Sequence, residues 1–325
     1  MGLDPSLTAA ATLHRRRLAG ADCTLDDAVY QVSLAHVLLD GGYDGVTTLD
    51  EALQGGDHGL GTVDRLDGEL VVVDGVPWRV NWHGHAEVMP GETLTPFTVV
   101  TTMERPQRQR VRDLDRVSVA DLIEGMVDDP DGVVAVRIEG RFEWVLVRSV
   151  PPQDPPYRPY VEVCQTEEVR WEHRPFEGVF VGFRFPGLEG GVAIPGLHLH
   201  GLDHARTTGG HNHDLVIADA ELTVDVSHDV VLSLPDRSMI DLLETQPEVR
   251  EAQRVLLRRG ASTTDQIAAD LGVDAAAAAE RLQWLADRGF AELRAEAGGP
   301  DRWHSTLRSR ARQLSPRMRD VLDSL

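Results

Sequence analysis

The chain has 325 residues, with 32 Lys plus Arg against 53 Asp plus Glu and a formal net charge of −21. None of the basic residues is lysine, which excludes a lysine Schiff base, a pyridoxal phosphate anchor and a P-loop lysine. The length fits one large domain or two to three small ones, and the acidic balance disfavours nucleic acid as a partner.

The sequence gives no indication of a membrane segment or an export signal. It has no run of about 18 apolar residues, and no charged segment leads into an apolar one at its start. Cys23 and Cys164 lack the spacing of a metal site and are most simply reduced thiols. We therefore expect a cytoplasmic protein without a membrane partner.

The first 150 residues predict a short arm followed by a β-rich half-domain. Residues 1–23 carry little pattern and are expected to form a loosely attached arm before the half-domain at 24–150. An acidic start and helical spacing predict a helix at 26–39. Asp-Gly turns on both sides predict a hairpin strand at 69–73. A strand at 95–102, a helix at 117–127 and a hairpin joining 133–138 to 142–150 follow.

Residues 151–245 predict a second half built on a β-sheet. The Pro-rich segment 151–159 has too few backbone donors for regular structure and is expected to cross between the halves. The β-rich runs that predict a second antiparallel sheet are 161–169, 177–185, 191–200, 214–218 and 221–234.

Residues 246–325 predict a small domain that resembles a winged helix-turn-helix. Predicted helices at 248–259, 266–271 and 274–288 are followed by two short strands at 290–294 and 302–306. The helix in the recognition position begins Asp274-Ala-Ala-Ala-Ala-Ala-Glu280, and alanine offers no group that reads base edges. A dimerising or lid-supporting role is favoured, and DNA binding stays the alternative.

A histidine-rich stretch between two of these runs predicts a metal site. His198 and His200 are two residues apart, so they share one face of an extended strand. The Gly209-Gly210 pair supplies a turn, and His211 begins the returning strand. Three imidazoles with a fourth position open are typical of catalytic Zn²⁺. His204 and His213 are competing ligands, and a surface His-rich loop is the alternative reading.

Nine motifs in this order resemble the acetolactate decarboxylase family, from about Val29 to Pro235. They are Gly42-Tyr-Asp-Gly45, Gly56-Asp-His-Gly-Leu-Gly-Thr62, Leu66-Asp-Gly-Glu-Leu70, Thr95-Pro-Phe97, Arg137-Ile-Glu-Gly140, Pro156-Tyr-Arg-Pro159, Val181-Gly-Phe-Arg184, Gly196-Leu-His-Leu-His200 and Gly209-Gly-His211. The resemblance implies an α+β fold of two β-sheet-based halves, here with the small C-terminal domain added, and a homodimer.

The same resemblance implies the residues of an active site. Its zinc ligands fall on His198, His200 and His211, and its other site groups on Glu69, Thr62 and Arg148. The family also sends a glutamate from its C-terminal tail into the site. Here that tail is rebuilt, so Glu244, Glu248 and Glu251 are candidates, and we take Glu251 as the predicted residue.

The sequence departs from the family pattern at three positions beside these motifs. His58 stands where phenylalanine is expected, Phe185 where threonine is expected, and Asn212 where valine is expected. These changes bear on the shape of the substrate more than on the metal.

The resulting hypothesis is Zn²⁺-dependent decarboxylation of 2-acetolactate, or a related 2-hydroxy-3-keto acid, to acetoin and CO₂. With no lysine available, a metal is the natural electron sink. Arg148 is expected to hold the carboxylate and Glu69 to deliver a proton. The alternatives are a metabolite-sensing regulator with a retired decarboxylase fold and a DNA-binding domain, or a metal-dependent isomerase or hydrolase.

Overall fold

The structure is a computed structural model, and it describes residues 28–127, 129–186, 192–233, 247–287, 290–296 and 299–306. The arm expected at residues 1–23 lies outside these ranges. None of the helices within them is long and apolar enough to cross a membrane.

One sheet of seven strands forms the first half of the body. Its strands are β1 (Val29–Val32), β3 (His58–Thr62), β4 (Glu69–Val73), β5 (Val76–Val80), β6 (Ala86–Val88), β8 (Phe97–Thr101) and β15 (Val230–Ser233). Their order is β15-β1-β8-β3-β4-β5-β6, and only the β1–β15 pair is parallel. A separate pair joins β2 (Thr47–Thr48) to β7 (Leu94–Thr95).

A sheet of six strands forms the second half. Its strands are β9 (Gln107–Asp115), β10 (Val133–Ser149), β11 (Val169–His173), β12 (Phe176–Phe185), β13 (Gly196–Asp203) and β14 (Gly209–Ser227). They follow the order β11-β10-β12-β13-β14-β9. Because β10 also pairs with β14, the four strands β10, β12, β13 and β14 close on themselves.

The helices lie at the ends and edges of these sheets. In the body they are α1 (Ala35–Leu39), α2 (Leu49–Ala52), α3 (Arg116–Met126) and α4 (Tyr160–Glu167), with short 3₁₀ turns at Leu53–Gly55 and Asp64–Leu66. The C-terminal module, which we define as the described residues from 247 to 306, holds α5 (Pro247–Arg259), α6 (Thr264–Leu271), α7 (Ala275–Asp287), β16 (Ala291–Arg294) and β17 (Arg302–Ser305).

The two sheets face each other across an apolar layer, which agrees with the expected α+β class. The residues that meet there are Val71, Val73 and Val80 from the first sheet and Val179, Val181 and Leu202 from the second. His58 also links the sheets, because its Nε2 lies 3.1 Å from the carbonyl oxygen of Val136. Burial lowers the pKa of His58 to about 4, so the ring is neutral and can donate to that carbonyl. His58, which stands where the family motif has phenylalanine, therefore forms a hydrogen bond between the two sheets.

The helix predicted at 26–39 is wrong over its first half. Val29–Val32 forms strand β1, between β8 and β15, and only Ala35–Leu39 is helical. Ser33 separates the two elements with a φ of 64°. The periodic apolar residues are buried by pairing with strands far away in sequence, so tertiary contacts override the local pattern.

The hairpin predicted across Glu139-Gly140 is also wrong, because β10 runs without a break from Val133 to Ser149. Both halves of β10 pair with β14. Gly140 is needed for that close pairing, since a Cβ there would lie 2.4 Å from the carbonyl oxygen of Asp219. Pairing with β12 and β14 therefore keeps this segment extended, although its sequence suggests a turn.

Two further predictions around residue 150 need correction. The segment 161–169 was predicted as a strand, but Tyr160–Glu167 is helical and begins directly after Pro159. A proline before the first turn is compatible with a helix start. The expected boundary at 150/151 also fails to separate the sheets, because β10 belongs to the second sheet and β15 to the first.

The C-terminal module contains three helices and a two-stranded sheet in the predicted order. Helix α6 starts with a capping box between Thr263 and Gln266 and ends at Gly272, which has a left-handed φ of 66°. Asp274 accepts a hydrogen bond from the amide of Ala277 at the start of α7. These elements agree with the sequence, and their assignment as a winged helix stays a prediction.

Candidate active site

Three histidines meet where β13 and β14 form a hairpin. His198 and His200 share one face of β13, and His200 stands opposite His211 of β14 in the strand register. The Nε2 atoms of His198 and His200 are 3.1 Å apart, and they lie 3.1 and 3.2 Å from Nδ1 of His211. Within the described residues, this is the only group of three or more His, Cys, Asp or Glu side chains that could hold a metal ion.

The local sequence explains why the hairpin closes in this register. The carboxylate of Asp203 accepts hydrogen bonds from the amides of Thr207 and Thr208, which fixes the loop between the strands. Gly210 has a φ of +135°, and a Cβ there would lie 2.5 Å from the carbonyl oxygen of Arg148. Glycine therefore lets β14 approach β10 closely enough to set His211 beside Arg148.

The donor set fits a metal such as zinc. In a tetrahedral zinc site with bonds of about 2.0–2.1 Å, neighbouring nitrogens lie roughly 3.3–3.4 Å apart, close to the spacing of this triad. Burial lowers the pKa of all three imidazoles, to about 3 for His200, so the rings are in the neutral form that can bind a metal. Nδ1 of His200 donates to the carbonyl of Leu70, which leaves Nε2 free to bind a metal.

Glu69 and Arg148 lie directly beside the histidines, as the sequence predicted. One carboxylate oxygen of Glu69 is 3.3 Å from Nε2 of His200, and the other accepts a hydrogen bond of 3.0 Å from Arg148. Both side chains are at most 6% exposed. Burial raises the pKa of Glu69 to about 7, although the charge of Arg148 acts in the opposite direction. A carboxyl group with such a pKa can carry a proton near neutral pH.

Two residues that the sequence analysis missed hold the other side of Arg148. Its Nε lies 3.0 Å from a carboxylate oxygen of Glu168, whose side chain is 5% exposed. Its second terminal nitrogen donates to the hydroxyl of Tyr160 at 2.6 Å. Burial acts to raise the pKa of Glu168, but the hydrogen bond from Arg170, the charge of Arg148 and the contact with His213 together outweigh it and lower the pKa. Glu168 is therefore an ionised carboxylate at the site.

Misreading residues 161–169 as a strand hid both of these residues. A helix at Tyr160–Glu167 directs the side chain of its first residue towards Arg148, and Glu168 follows its last residue. In a fully extended strand these two residues would lie roughly 26 Å apart, so they could not both reach Arg148. The only signal in the sequence is the Pro156-Tyr-Arg-Pro159 motif immediately before the helix.

The remaining predicted residues lie at different distances from this cluster. Thr62 pairs with Glu69 across β3 and β4, and its hydroxyl donates to the carbonyl of Gly68 at 2.7 Å. His204 is half-exposed near Glu139, and Nε2 of His213 lies 3.0 Å from a carboxylate oxygen of Glu168, so neither competing histidine joins the triad.

The prediction for Glu251 is not supported. Its side chain is 44% exposed, and its ionic partners are Arg254 at 3.2 Å and Arg258 at 3.4 Å on the same helix. Glu248 is exposed, and Glu244 lies outside the described residues. Helix α5 directs Glu251 towards its own arginines, while Glu168 supplies a second buried carboxylate beside Arg148.

Comparisons with known proteins identify the family that this chain is similar to. A family profile described as alpha-acetolactate decarboxylase matches residues 29–242. An alpha-acetolactate decarboxylase of Methylococcus capsulatus is 36% identical over 234 residues, covering 70% of this chain and 89% of the relative. One from Klebsiella aerogenes is 36% identical, covering 65% of this chain and 81% of the relative. The crystal structure of alpha-acetolactate decarboxylase from Bacillus subtilis strain 168 is similar, with a TM-score of 0.63 and 32% identity over 72% of this chain and 99% of that one.

Proposed function

Since the chain belongs to the alpha-acetolactate decarboxylase family, we propose that it is a metal-dependent carboxy-lyase that converts 2-acetolactate to acetoin and CO₂. A closely related 2-hydroxy-3-keto acid is the alternative substrate. The observation that carries the proposal is the placement of three neutral imidazoles next to a buried Glu69–Arg148 pair.

The metal that we propose is Zn²⁺, held by His198, His200 and His211. When bound, it supplies a Lewis acid for the negative charge that develops on the substrate's oxygens. Three nitrogen ligands with an open position are the usual donor set of catalytic zinc, which supports this choice over a hard cation that prefers oxygen.

Arg148 is proposed to bind the substrate carboxylate before it leaves. An arginine has five N–H groups, and the hydrogen bonds to Glu69 and Tyr160 engage one on each terminal nitrogen, while a carboxylate oxygen of Glu168 lies 3.0 Å from Nε. One N–H on each terminal nitrogen then remains to donate to the substrate carboxylate. The two flanking glutamates keep the guanidinium in one orientation while it does so.

Glu69 is proposed to complete the reaction by giving its proton to carbon. As CO₂ departs, the electron pair of the broken carbon–carbon bond stays on the substrate as an enediolate. The protonated carboxyl of Glu69 then transfers its proton to the carbanionic carbon, and the product is acetoin. Its burial supports this role, since the raised pKa keeps a proton available and bulk water is excluded.

The regulator hypothesis has less support. Helix α7 would have to face DNA, and its exposed residues are Ala275, Ala276, Glu280, Gln283 and Asp287. Two of these are acidic and would be repelled by phosphates, while the alanines at the N-terminal end offer no hydrogen bonds to bases.

The oligomeric state and the cellular compartment of the enzyme are also proposals. We propose a homodimer in the cytoplasm; the family resemblance supports the dimer, and the presence of only two cysteines in the sequence supports the compartment. Light scattering of the purified protein should give twice the 35.7 kDa of one chain, and a mass of one chain would contradict the dimer.

The experiment that tests the function is acetoin formation from racemic 2-acetolactate by the purified chain. We expect acetoin and CO₂ in equal amounts, with no acetoin above the spontaneous rate from a variant that combines His198→Ala and His200→Ala. Equal rates for the parent and this variant would contradict the proposal.

A further inference from the structure

We propose that the C-terminal module braces the active site by fixing the segment that brings Tyr160 to Arg148. This role goes beyond the proposed reaction, and its kinetic consequence rests on that proposal. The family match covers residues 29–242 and ends before the first residue of the module, so a role for the module goes beyond that match.

The module is docked on the body through a buried leucine. Leu34 of the body is only 1% exposed, and it lies in a cluster whose other buried members all belong to the module. These members are Val249, Ala252, Val255, Leu256, Ile267, Leu282, Leu285, Phe290, Ala291 and Trp303. At the edge of this contact, Nε of Arg254 lies 2.8 Å from a carboxylate oxygen of Asp40.

The last turn of helix α5 then contacts the segment that precedes α4. The amide of Tyr157 donates to the carbonyl oxygen of Arg258, one of the last carbonyls of the helix, which have no partner inside it. Gly41 fits closely into the same junction, since a Cβ there would lie 3.0 Å from Arg258 Cγ and 3.3 Å from the carbonyl oxygen of Arg158. The C-terminal module, the turn after α1 and the Pro-rich segment therefore contact one another at this junction.

Tyr157 passes this constraint to the active site through a short and rigid path. It is 3% exposed, its hydroxyl donates to Asp44 at 2.7 Å, and its ring packs edge-on against Tyr43. Tyr43 donates in turn to the carbonyl of Arg158 at 2.8 Å. Three residues, which span at most about 10 Å, then lead from Tyr157 to Tyr160, whose hydroxyl accepts from Arg148.

The opposite end of α4 is held within the same segment. Gln153 donates to the carboxylate of Glu167 at 3.0 Å, and Arg158 donates to the side chain of Gln153 at 3.1 Å. Arg158 also contacts Glu167 directly. The segment from 153 to 168 thus forms a closed unit, so a displacement at Tyr157 would move Tyr160 and Glu168 together. We regard Tyr160, Glu168 and the module as positioning elements for Arg148.

The test uses the full-length, metal-loaded protein with variants at the docking contact. Leu34→Asp places a carboxylate in the apolar cluster, and Arg254→Glu sets a negative charge against Asp40. Arg259→Glu is the matched control on the same helix, because Arg259 pairs with Asp270 inside the module and not with the body. The measurements are hydrogen exchange of the α4 amides, KM and kcat for 2-acetolactate, and bound metal.

We expect Leu34→Asp to speed exchange of the α4 amides about tenfold or more, since a buried unpaired charge is strongly destabilising. Arg254→Glu should speed it roughly two- to fivefold because the ion pair is partly exposed. Both should raise KM more than they lower kcat, with unchanged metal content, while Arg259→Glu behaves like the parent.

If Leu34→Asp fails to fold, the comparison of α4 exchange in Arg254→Glu and Arg259→Glu tests the proposed brace. Equal α4 exchange in these two variants would overturn the brace, and so would faster exchange of the module amides in Leu34→Asp without any change in α4. Hydrogen exchange does not depend on the substrate, so a parent that forms no acetoin would refute the proposed function and leave the test of the brace intact.

Discussion

Two groups of side chains meet around Arg148, and they reach it by different means. His200, His211 and Glu69 come from strands, where the register with a neighbouring strand fixes each side chain. Tyr160 and Glu168 come from the ends of helix α4, whose position depends on contacts with residues far away in sequence. A strand-borne group can be displaced only by breaking a sheet, whereas a helix-borne group responds to changes at a distance.

This difference suggests that the two groups of residues have different roles, which variants can test. The strand-borne residues are proposed to do the chemistry, so their loss should abolish metal binding or turnover. The helix-borne residues are proposed to orient Arg148, so their loss should change affinity for the substrate and leave the metal in place. The predictions that follow run from the strands to the helix.

The largest effect is expected for the proposed metal ligands. A variant combining His198→Ala and His200→Ala removes two of three neutral nitrogens and should lower bound metal from about one ion per chain to background. The measurement is elemental analysis of dialysed protein. His204→Ala is the control, because His204 is half-exposed and outside the triad, and it should keep its metal. Retained metal in the double variant would contradict the site.

Glu69→Gln should come next. The amide keeps the size of the side chain and removes the proton that is proposed to reach carbon, so kcat should fall about 10²- to 10⁴-fold. Metal content should stay at the level of the parent, since Glu69 is not proposed as a ligand. Glu221→Gln, at a half-exposed strand position, is the matched control. A kcat within twofold of the parent would assign the proton transfer elsewhere.

Glu168→Gln should have an intermediate effect. It leaves an oxygen beside Arg148 but removes one charge from a buried ion pair, whose disruption is costly. We expect kcat/KM to fall roughly 10- to 100-fold, mainly through KM, with metal unchanged. Steady-state kinetics on 2-acetolactate measure this, and the exposed Glu162→Gln on α4 serves as the control. A loss confined to kcat would give Glu168 a chemical role.

The smallest effect is expected for Tyr160→Phe. This change keeps the ring in place and removes one hydrogen bond to the guanidinium of Arg148. KM should rise about three- to tenfold, which corresponds to roughly 0.7–1.4 kcal/mol and to the net contribution of one ordinary hydrogen bond. An unchanged KM would mean that Glu69 and Glu168 orient Arg148 without help.

The histidine hairpin was predictable because its information is local. Spacing of two residues sets His198 and His200 on one face, and a Gly-Gly turn returns the chain at His211, so the pattern alone predicts the triad that the structure shows. The strand at Glu69–Val73 was predictable for the same reason, since Asp-Gly turns bracket it.

The errors occur where distant contacts decide the structure. Val29 and Val32 are apolar at helical spacing, yet pairing with β8 and β15 makes them a strand. The continuity of β10 through Gly140 depends on β12 and β14, which come later in the chain. Glu168 could not be recognised as a site residue, because only the placement of α4 brings it to Arg148. A sequence pattern indicates which secondary structure one segment can form. In these segments, the strands and helices that pack against them determine which structure forms.

The most direct test of the central claim is to remove the metal from the full-length protein and return it stepwise. Acetoin formation from racemic 2-acetolactate should be absent after chelation, rise in proportion to added Zn²⁺ and saturate at about one ion per chain. Acetoin formation at the full rate in chelated protein, or none at one bound ion per chain, would contradict the account.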